Sequence, residues 1–384
     1  MLIVMLTACS RHNDEFTSTP TPEQPKEPSV ISIYVYQPDR PIVTRAGEGE
    51  VNPINNTTDE SAINNIKIWV FNHSSEALIA YHSSETTTSN MSIVNENGVT
   101  YQLTVSPEFE AAAVKPNVDV FVLANDTQYD GDTTESTLEA AMIKVDEESD
   151  NYGLTTLTTE VPAGGLPMSG VLRDQSVTGT APVYSLPTLK LVRAVSKVRF
   201  VFCREEGETP VKINSIQLGE NMIPTQEYLF LGNDSKPYHI GTAYVAGATE
   251  LVGNEDEVKT DIRQNANPLA YVYVDGMDPQ EFEDKIAEGL NSDAANGITP
   301  KLSQVGPYYL RESDKQLSCT LKYQAGEAAE KTATVHMSAT GVYEFSRNHT
   351  WTVYAYYGGS SLELITVIVR DWDDTNKNHN VYNW

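Results

Sequence analysis

Short apolar runs with a period of two, each closed by turn residues, constrain this chain more than any other feature of it. The first is Val30 to Tyr36, VISIYVY, where Ile31, Ile33 and Val35 alternate with Ser32, Tyr34 and Tyr36. That spacing places one apolar row on the buried face of a sheet. Similar runs follow. Ile63 to Phe71 sets Ile66, Ile68 and Val70 against Lys67, Trp69 and Phe71, a strand able to face apolar surroundings on both sides. Val99 to Val105 alternates behind an Asn97-Gly98 turn, with Met91 to Val94 as the preceding strand, and Val118 to Asn125 is the strongest strand of this half. Later come Leu186 to Phe202, Val211 to Leu218, Pro268 to Val274, Leu317 to Tyr323, Lys331 to Met337 and Trp351 to Tyr357. Such a series predicts a mostly β chain built of sandwiches. Twenty Tyr and 20 Pro push the same way. One or two peripheral helices are expected. Ser136 to Val145 has capping-box spacing between Ser136 and Glu139 and a stripe of Leu138, Met142 and Val145, and a second helix opens at Asp278-Pro279 with Phe282, Ile286 and Leu290 four apart.

The first run is set apart by its flanks. Upstream lies a polar tether carrying Pro20, Pro22, Pro25 and Pro28, and downstream Ala46 to Glu50 alternates Gly and Glu with almost nothing apolar to pack. The segment 30–45 therefore reads as a removable strand that ends in an exposed basic residue, Arg45. The plainer reading is an ordinary first strand with an incidental arginine in a loop. Burial of an aliphatic side chain is worth roughly 1.5 to 3 kcal/mol, so losing Ile31, Ile33 and Val35 would forfeit about 5 to 9 kcal/mol. A domain holds about that much net stability, so the gap would have to be refilled.

The chain has 384 residues, enough for two domains, and a formal net charge of -27, which excludes a nucleic-acid backbone as partner. Its three cysteines do not make a disulfide scaffold. Cys203 and Cys319 lie in strand-like runs and are read as two buried thiols, with pairing in an oxidising compartment as the alternative. No run reaches the length of a membrane span. There is no HExxH, no GxSxG and no phosphate loop, and the seven histidines are scattered, so neither an enzyme nor a bound cofactor is expected. Asp126, Asp130 and Asp132, and the run Asp146 to Asp150, lack the ligand order of a calcium loop and read as solvated loop acids. Asn348 with His349 and Trp351 is a candidate binding patch, the plainer reading being a strand with an aromatic outer face.

Leu6-Thr7-Ala8-Cys9 resembles the lipobox of a bacterial lipoprotein, which implies acylation of Cys9. The apolar run before it is short and lacks a basic n-region, so translation is expected to start further upstream. FVLAN at 121–125, LPMSG at 166–170, LVRAVSKVRF at 191–200 and SRNHTWTVYAYY at 346–357 together resemble the fimbrillins, the type V pilins of anaerobic Gram-negative bacteria. The resemblance spans most of the chain. It implies two transthyretin-like Greek-key β-sandwich domains, 30–190 and 191–384, behind a signal remnant and tether, 1–29. It further implies export as an outer-membrane lipoprotein, cleavage between Arg45 and Ala46 by an Arg-specific protease, and strand exchange with other fimbrial subunits in a cell-surface fimbrium. Cleavage at Arg40 is disfavoured by Pro41. The candidate donor segment is 362–384, with Leu362, Leu364, Thr366, Ile368 and Trp372 as its contact residues. A stalk subunit would lend that strand. A tip would keep it in its own core and only accept. The rival expectation is a monomeric lipid-anchored adhesin for a host glycan or protein.

Overall fold

The computed structural model describes residues 28–36, 60, 62–84, 93–95, 98–145, 151–155, 157–204, 209–232, 240–252, 260–262, 303–337, 345–371 and 380–383. The strand expected over 268–274, the helix from 278, the acid run 146–150, and Cys9, Arg45, Ala46 and Trp372 lie outside these residues.

The alternating runs form two pairs of facing sheets. In the first pair, one sheet runs in the order Ile93–Asn95, Gly98–Thr104, Val30–Tyr36, Val183–Ser185 and Thr178–Thr180, with Leu189–Lys190 also paired to Val30–Tyr36. Its partner sheet runs Val192–Arg193, Met168–Gln175, Val118–Ala124, Ile66–Asn72 and Leu78–Ser84. Ile31, Ile33, Val35, Ile66, Ile68, Val70, Val120, Val122 and Leu103 meet between them in one core. In the second pair the order is Ser303–Leu310, Ser196–Arg204, His349–Tyr357, Leu362–Asp371 and Asn380–Asn383, facing Thr249–Val252, Val211–Leu218, Leu317–Ala325 and Lys331–Met337. Val198, Phe200, Phe202, Ile213, Leu321 and Trp351 fill that core.

The two pairs repeat one strand order. Val30–Tyr36 lies between an antiparallel and a parallel neighbour, and so does Ser196–Arg204. Each facing sheet then sets four antiparallel strands in the same succession. This is the mostly β sandwich architecture that the period-two runs predict, in keeping with the Greek-key domains that the resemblance implies. Leu362–Asp371 and Asn380–Asn383 stand outside the repeat, added to the edge of His349–Tyr357.

Two-sided strands explain how the pairs adhere. Ile66, Ile68 and Val70 face the first core, whereas Trp69 and Phe71 on the other side join Phe121, Leu123, Leu138, Leu229, Phe230 and Tyr309 in a third cluster between the pairs. Period-two alternation puts successive side chains on opposite faces, so an apolar residue at every position means apolar contact on both.

The helix expected over Ser136 to Val145 is a single turn, Glu135–Glu139. Thr134, not Ser136, is its N-cap, with Oγ1 accepting from the Thr137 amide. Met142–Lys144 is instead a strand, antiparallel to Gln226–Tyr228, and so bridges the two sandwiches. Tertiary pairing outweighed a short helical stripe. The other described helix, Pro107–Ala111, is equally short, and no described helix is long and apolar enough to cross a membrane. Cys319 is a free thiol in the second core, where burial pushes its pKa up to about 12.

Candidate functional site: the bed of the first strand

Val30–Tyr36 pairs along its whole length with Gly98–Thr104, from Val30↔Thr104 to Tyr36↔Gly98. Its other edge meets two short parallel pieces: Val183–Ser185 along Val30, Ile31 and Ser32, then Leu189–Lys190 along Val35 and Tyr36. Between them stands Pro187, which has no amide hydrogen for a ladder. Leu186 on one side still donates to the Ser32 carbonyl, and Leu191 beyond it donates to the Tyr36 carbonyl, both at 3.0 Å. Val30 N donates to Pro182 O at 2.8 Å, and Ser29 O accepts from Val105 N at 3.1 Å.

The side chains follow the pleat. Ile31, Ile33 and Val35 are all 0% exposed, whereas Ser32, Tyr34 and Tyr36 are half-buried on the outer face. Removing the strand would leave three aliphatic sockets lined by first-core residues and two rows of unpaired backbone groups. Gly98 fits the outer face to this occupant. A Cβ there would come within 2.5 Å of the Tyr34 ring and 2.8 Å of the Val35 carbonyl oxygen, so only glycine lets the tyrosine lie across the neighbouring strand. At the Val30 end, Lys115 closes the bed. Its Nζ donates to the carbonyls of Phe109, Glu110 and Ala112 at 2.8 to 2.9 Å and sits 5.1 and 5.4 Å from the Phe109 and Tyr184 ring centroids.

The candidate donor is placed less simply. Leu362 is buried in the second core, and Leu362 and Leu364 pair with Tyr357 and Ala355. A register shift follows between Tyr354 and Ala355, after which Thr366, Val367, Ile368 and Val369 pair with Tyr354, Val353, Thr352 and Trp351. The series Leu362, Leu364, Thr366, Ile368 thus crosses a bulge, so one two-residue alternation does not run through it.

The binding patch suggested at Asn348 is not on the surface. Asn348 is buried at φ 60°, its Oδ1 accepts from Arg193 N at 3.2 Å, and Trp351 is a core residue. Tyr354, on the opposite face, is also fully buried, so that face of the strand is not an exposed aromatic surface. Asp126 is likewise no solvated acid. It is buried, pairs with Lys67 Nζ at 2.9 Å, and accepts from Tyr152 OH at 2.7 Å and from the amides of Gln128 and Tyr129. Among the described residues no group of three His, Cys, Asp or Glu side chains is placed to hold a metal ion.

Sequence reasoning missed the buried charges where the two sandwiches meet. Glu60 pairs with Lys197 at 2.8 Å, accepts from Tyr309 OH at 2.8 Å, and its carbonyl accepts from Arg193 Nε at 2.9 Å. Burial pulls the Lys197 pKa down to about 8 against the pull of Glu60. Arg347 bridges Glu227 at 2.9 Å and Glu312 at 2.7 Å, and burial pushes Glu227 up to about 8 although Arg347 opposes it. The available signal was LVRAVSKVRF, where Arg193, Lys197 and Arg199 alternate with apolar residues. On a strand covered on both faces, the polar row is as buried as the apolar one.

Residues 44–213 match the family model of the major fimbrial subunit protein (FimA). No curated protein matches the chain. Among solved structures it is similar to a cell-adhesion candidate protein from Parabacteroides distasonis ATCC 8503, at 15% identity over 91% of this chain and 99% of that one, with a TM-score of 0.52. It is also similar to the tip fimbrial protein Mfa3 from Porphyromonas gingivalis, at 13% identity over 93% and 99%, TM-score 0.49. A fimbrilin (FimA) from Porphyromonas gingivalis W83 matches at 10% identity over 92% and 96%, TM-score 0.44. At such identities the structural likeness speaks for the fold, and over residues 44–213, less than half of the chain, the sequence is similar to the family of the major fimbrial subunit protein (FimA).

Proposed function

We propose that this chain is a building subunit of a cell-surface fimbrium that exchanges its first strand for one from a neighbour. The similarity of residues 44–213 to the major fimbrial subunit family supports a fimbrial, cell-surface role. The finer reading rests on one observation: a strand with three wholly buried aliphatic side chains comes first among the described strands, and the segment 37–59 lies between it and the next described residue, Glu60. In this reading a lipoprotein precursor is acylated at Cys9 and held at the outer membrane. An Arg-specific protease cuts between Arg45 and Ala46, the strand 30–45 leaves, and the opened bed binds by β-augmentation, in which backbone pairing gives affinity and the sockets give specificity. The two sandwiches act as domains divided near residue 190.

The donor is proposed to be the strand from Leu362 toward Trp372 of another copy. Two features support it. The strand is appended outside the repeated order, so lending it from Leu364 onward, with Leu362 kept in the second core, takes no strand from the repeat, as a stalk subunit requires. Its sequence also copies the occupant: Ile365-Thr366-Val367-Ile368-Val369 sets against Ile31-Ser32-Ile33-Tyr34-Val35 with the same aliphatic and hydroxyl positions, Ile368 standing for Tyr34. That match puts Ile365, Val367 and Val369 in the sockets and Leu364, Thr366 and Ile368 outside.

The test is the mature protein sheared from cells. The proposal expects an N-terminus at Ala46 and ladders of multimers that survive mild denaturant. Single chains that begin at an acylated Cys9 would favour the monomeric adhesin for a host glycan or protein.

A further inference from the structure

The far end of the first strand's bed is built from the segment that joins the two sandwiches. Leu189 and Lys190 pair with Val35 and Tyr36, and Leu191 N donates to Tyr36 O. The same segment then crosses to the facing sheet, where Val192 and Arg193 pair with Ser169 and Met168, and Ala194 N donates to Pro167 O at 2.9 Å. It lies hard against that sheet. At Gly170 a Cβ would fall 2.3 Å from Leu189 Cδ2 and 2.7 Å from the Lys190 carbonyl oxygen, so a side chain there would lift the segment away.

Three residues on, this strap enters the seam. Arg193 is wholly buried and donates through N and Nη1 to Asn348 Oδ1 and through Nε to the Glu60 carbonyl. Asn348 N returns a hydrogen bond to Val195 O at 2.9 Å, and Ser196 opens an interior strand of the second sandwich, Ser196–Arg204. One continuous piece of backbone therefore carries both the last two positions of the bed and the polar joint between the sandwiches. Leu189, Leu191, Ala194 and Val195 are all buried along it, so it has little freedom to shift at one end alone.

We infer that occupancy of the last two positions of the bed, those of Val35 and Tyr36, is what locks the joint between the two sandwiches, and that the partner is therefore a strand of the full seven residues. A shorter strand would fill the sockets of Ile31 and Ile33 while leaving Leu189 to Leu191 unpaired, and the joint would stay loose. The inference rests on the exchange reading, because it concerns a bed that is emptied and refilled. A fimbrium assembled by seven-residue strands would then stiffen each subunit as it joins.

The experiment uses the full chain with a sequence-specific protease site placed between Arg45 and Ala46. After cleavage the excised strand is removed in mild denaturant, and two synthetic peptides are added, VISIYVY and the shortened VISIY. Amide hydrogen exchange is read at Gly98–Thr104 for the bed, at Leu191 for the strap, and at Ala194 and Asn348 for the joint. Emptying the bed is expected to speed exchange about tenfold or more at Leu191, Ala194 and Asn348. The long peptide should restore protection at all of them. The short one should protect the neighbours of Ile31 and Ile33 but leave Leu191, Ala194 and Asn348 fast. Equal protection of Ala194 and Asn348 by both peptides, or no change there on emptying the bed, overturns the inference while leaving the exchange reading intact. Failure of either peptide to protect Gly98–Thr104 overturns both.

Discussion

Replacing Ile33 by alanine is the sharpest test of whether the first strand acts as a core plug. The side chain is 0% exposed and sits in the middle of the three sockets, between Ile31 and Val35. The change removes three carbons, each worth about 0.8 kcal/mol when buried, and adds a cavity term, for a total of about 2 to 5 kcal/mol. Ser32, one residue away on the half-exposed face, supplies the control: Ser32→Ala should fall within about 0.5 kcal/mol of the parent. Native-state hydrogen exchange separates the sandwiches, with core amides of Gly98–Thr104 reporting the first and those of Ser196–Arg204 the second. At about 1.4 kcal/mol per decade, Ile33→Ala should lower protection in Gly98–Thr104 roughly 30-fold to a few thousand-fold. The second sandwich has its own core and should keep most of its protection. If Ile33→Ala and Ser32→Ala behave alike, the strand adds little to the core, and excising it would open nothing worth refilling.

Three further outcomes follow from the same structure. A peptide copying Leu364 to Arg370 should bind the emptied bed, and Asp in place of Ile365, Val367 or Val369 should weaken it at least tenfold more than Asp at Leu364, Thr366 or Ile368; competition against labelled VISIYVY reads this, and the reverse parity would discard the proposed register. Burial raises the Glu227 pKa to about 8, above the 4.5 of an ordinary glutamate, so its contribution to stability should fall as pH rises from about 5 to 8; Glu227→Gln should flatten part of that slope in thermal melts, with Glu135, also pushed up to about 8, acting in the same direction. Asp126→Ala strands Lys67, the Tyr152 hydroxyl and two backbone amides, and should cost about 3 to 5 kcal/mol by denaturant unfolding, whereas loss of under about 1 kcal/mol would mean water replaces the carboxylate freely.

Where burial on one face decided the structure, the sequence was readable. Val30 to Tyr36 is a strand with the bounds its alternation suggests, and Ile66–Asn72 lies inside its sheet, with Trp69 and Phe71 apolar on the face opposite Ile66, Ile68 and Val70. What escaped was set by distant contacts. Met142 and Val145 lie on a helical stripe, yet Met142–Lys144 finds a strand partner in Gln226–Tyr228 more than 80 residues along the chain, which no local pattern encodes. Asp126 stands in a run of loop acids and gives no sign that Lys67, 59 residues earlier and on the adjoining strand of the sheet, will draw it inside. The charges of Glu60, Lys197 and Arg347 look like surface charges until the two sandwiches are placed together. The bed itself was half legible: its three sockets follow from Ile31, Ile33 and Val35, but the role of Gly98 and the strap at Leu189 to Leu191 required the register.

The most direct measurement of the central claim is a covalent trap between copies. Tyr101 is the register partner of Ile33, so a chain carrying Tyr101→Cys and a second carrying Val367→Cys, both cut after Arg45 and mixed under mild oxidation, should form a disulfide-linked pair. The account predicts that pair in good yield, with a Ile368→Cys partner giving far less and uncut chains giving none. Equal linkage from cut and uncut chains, or cut chains that release residues 30–45 and stay single, would contradict it.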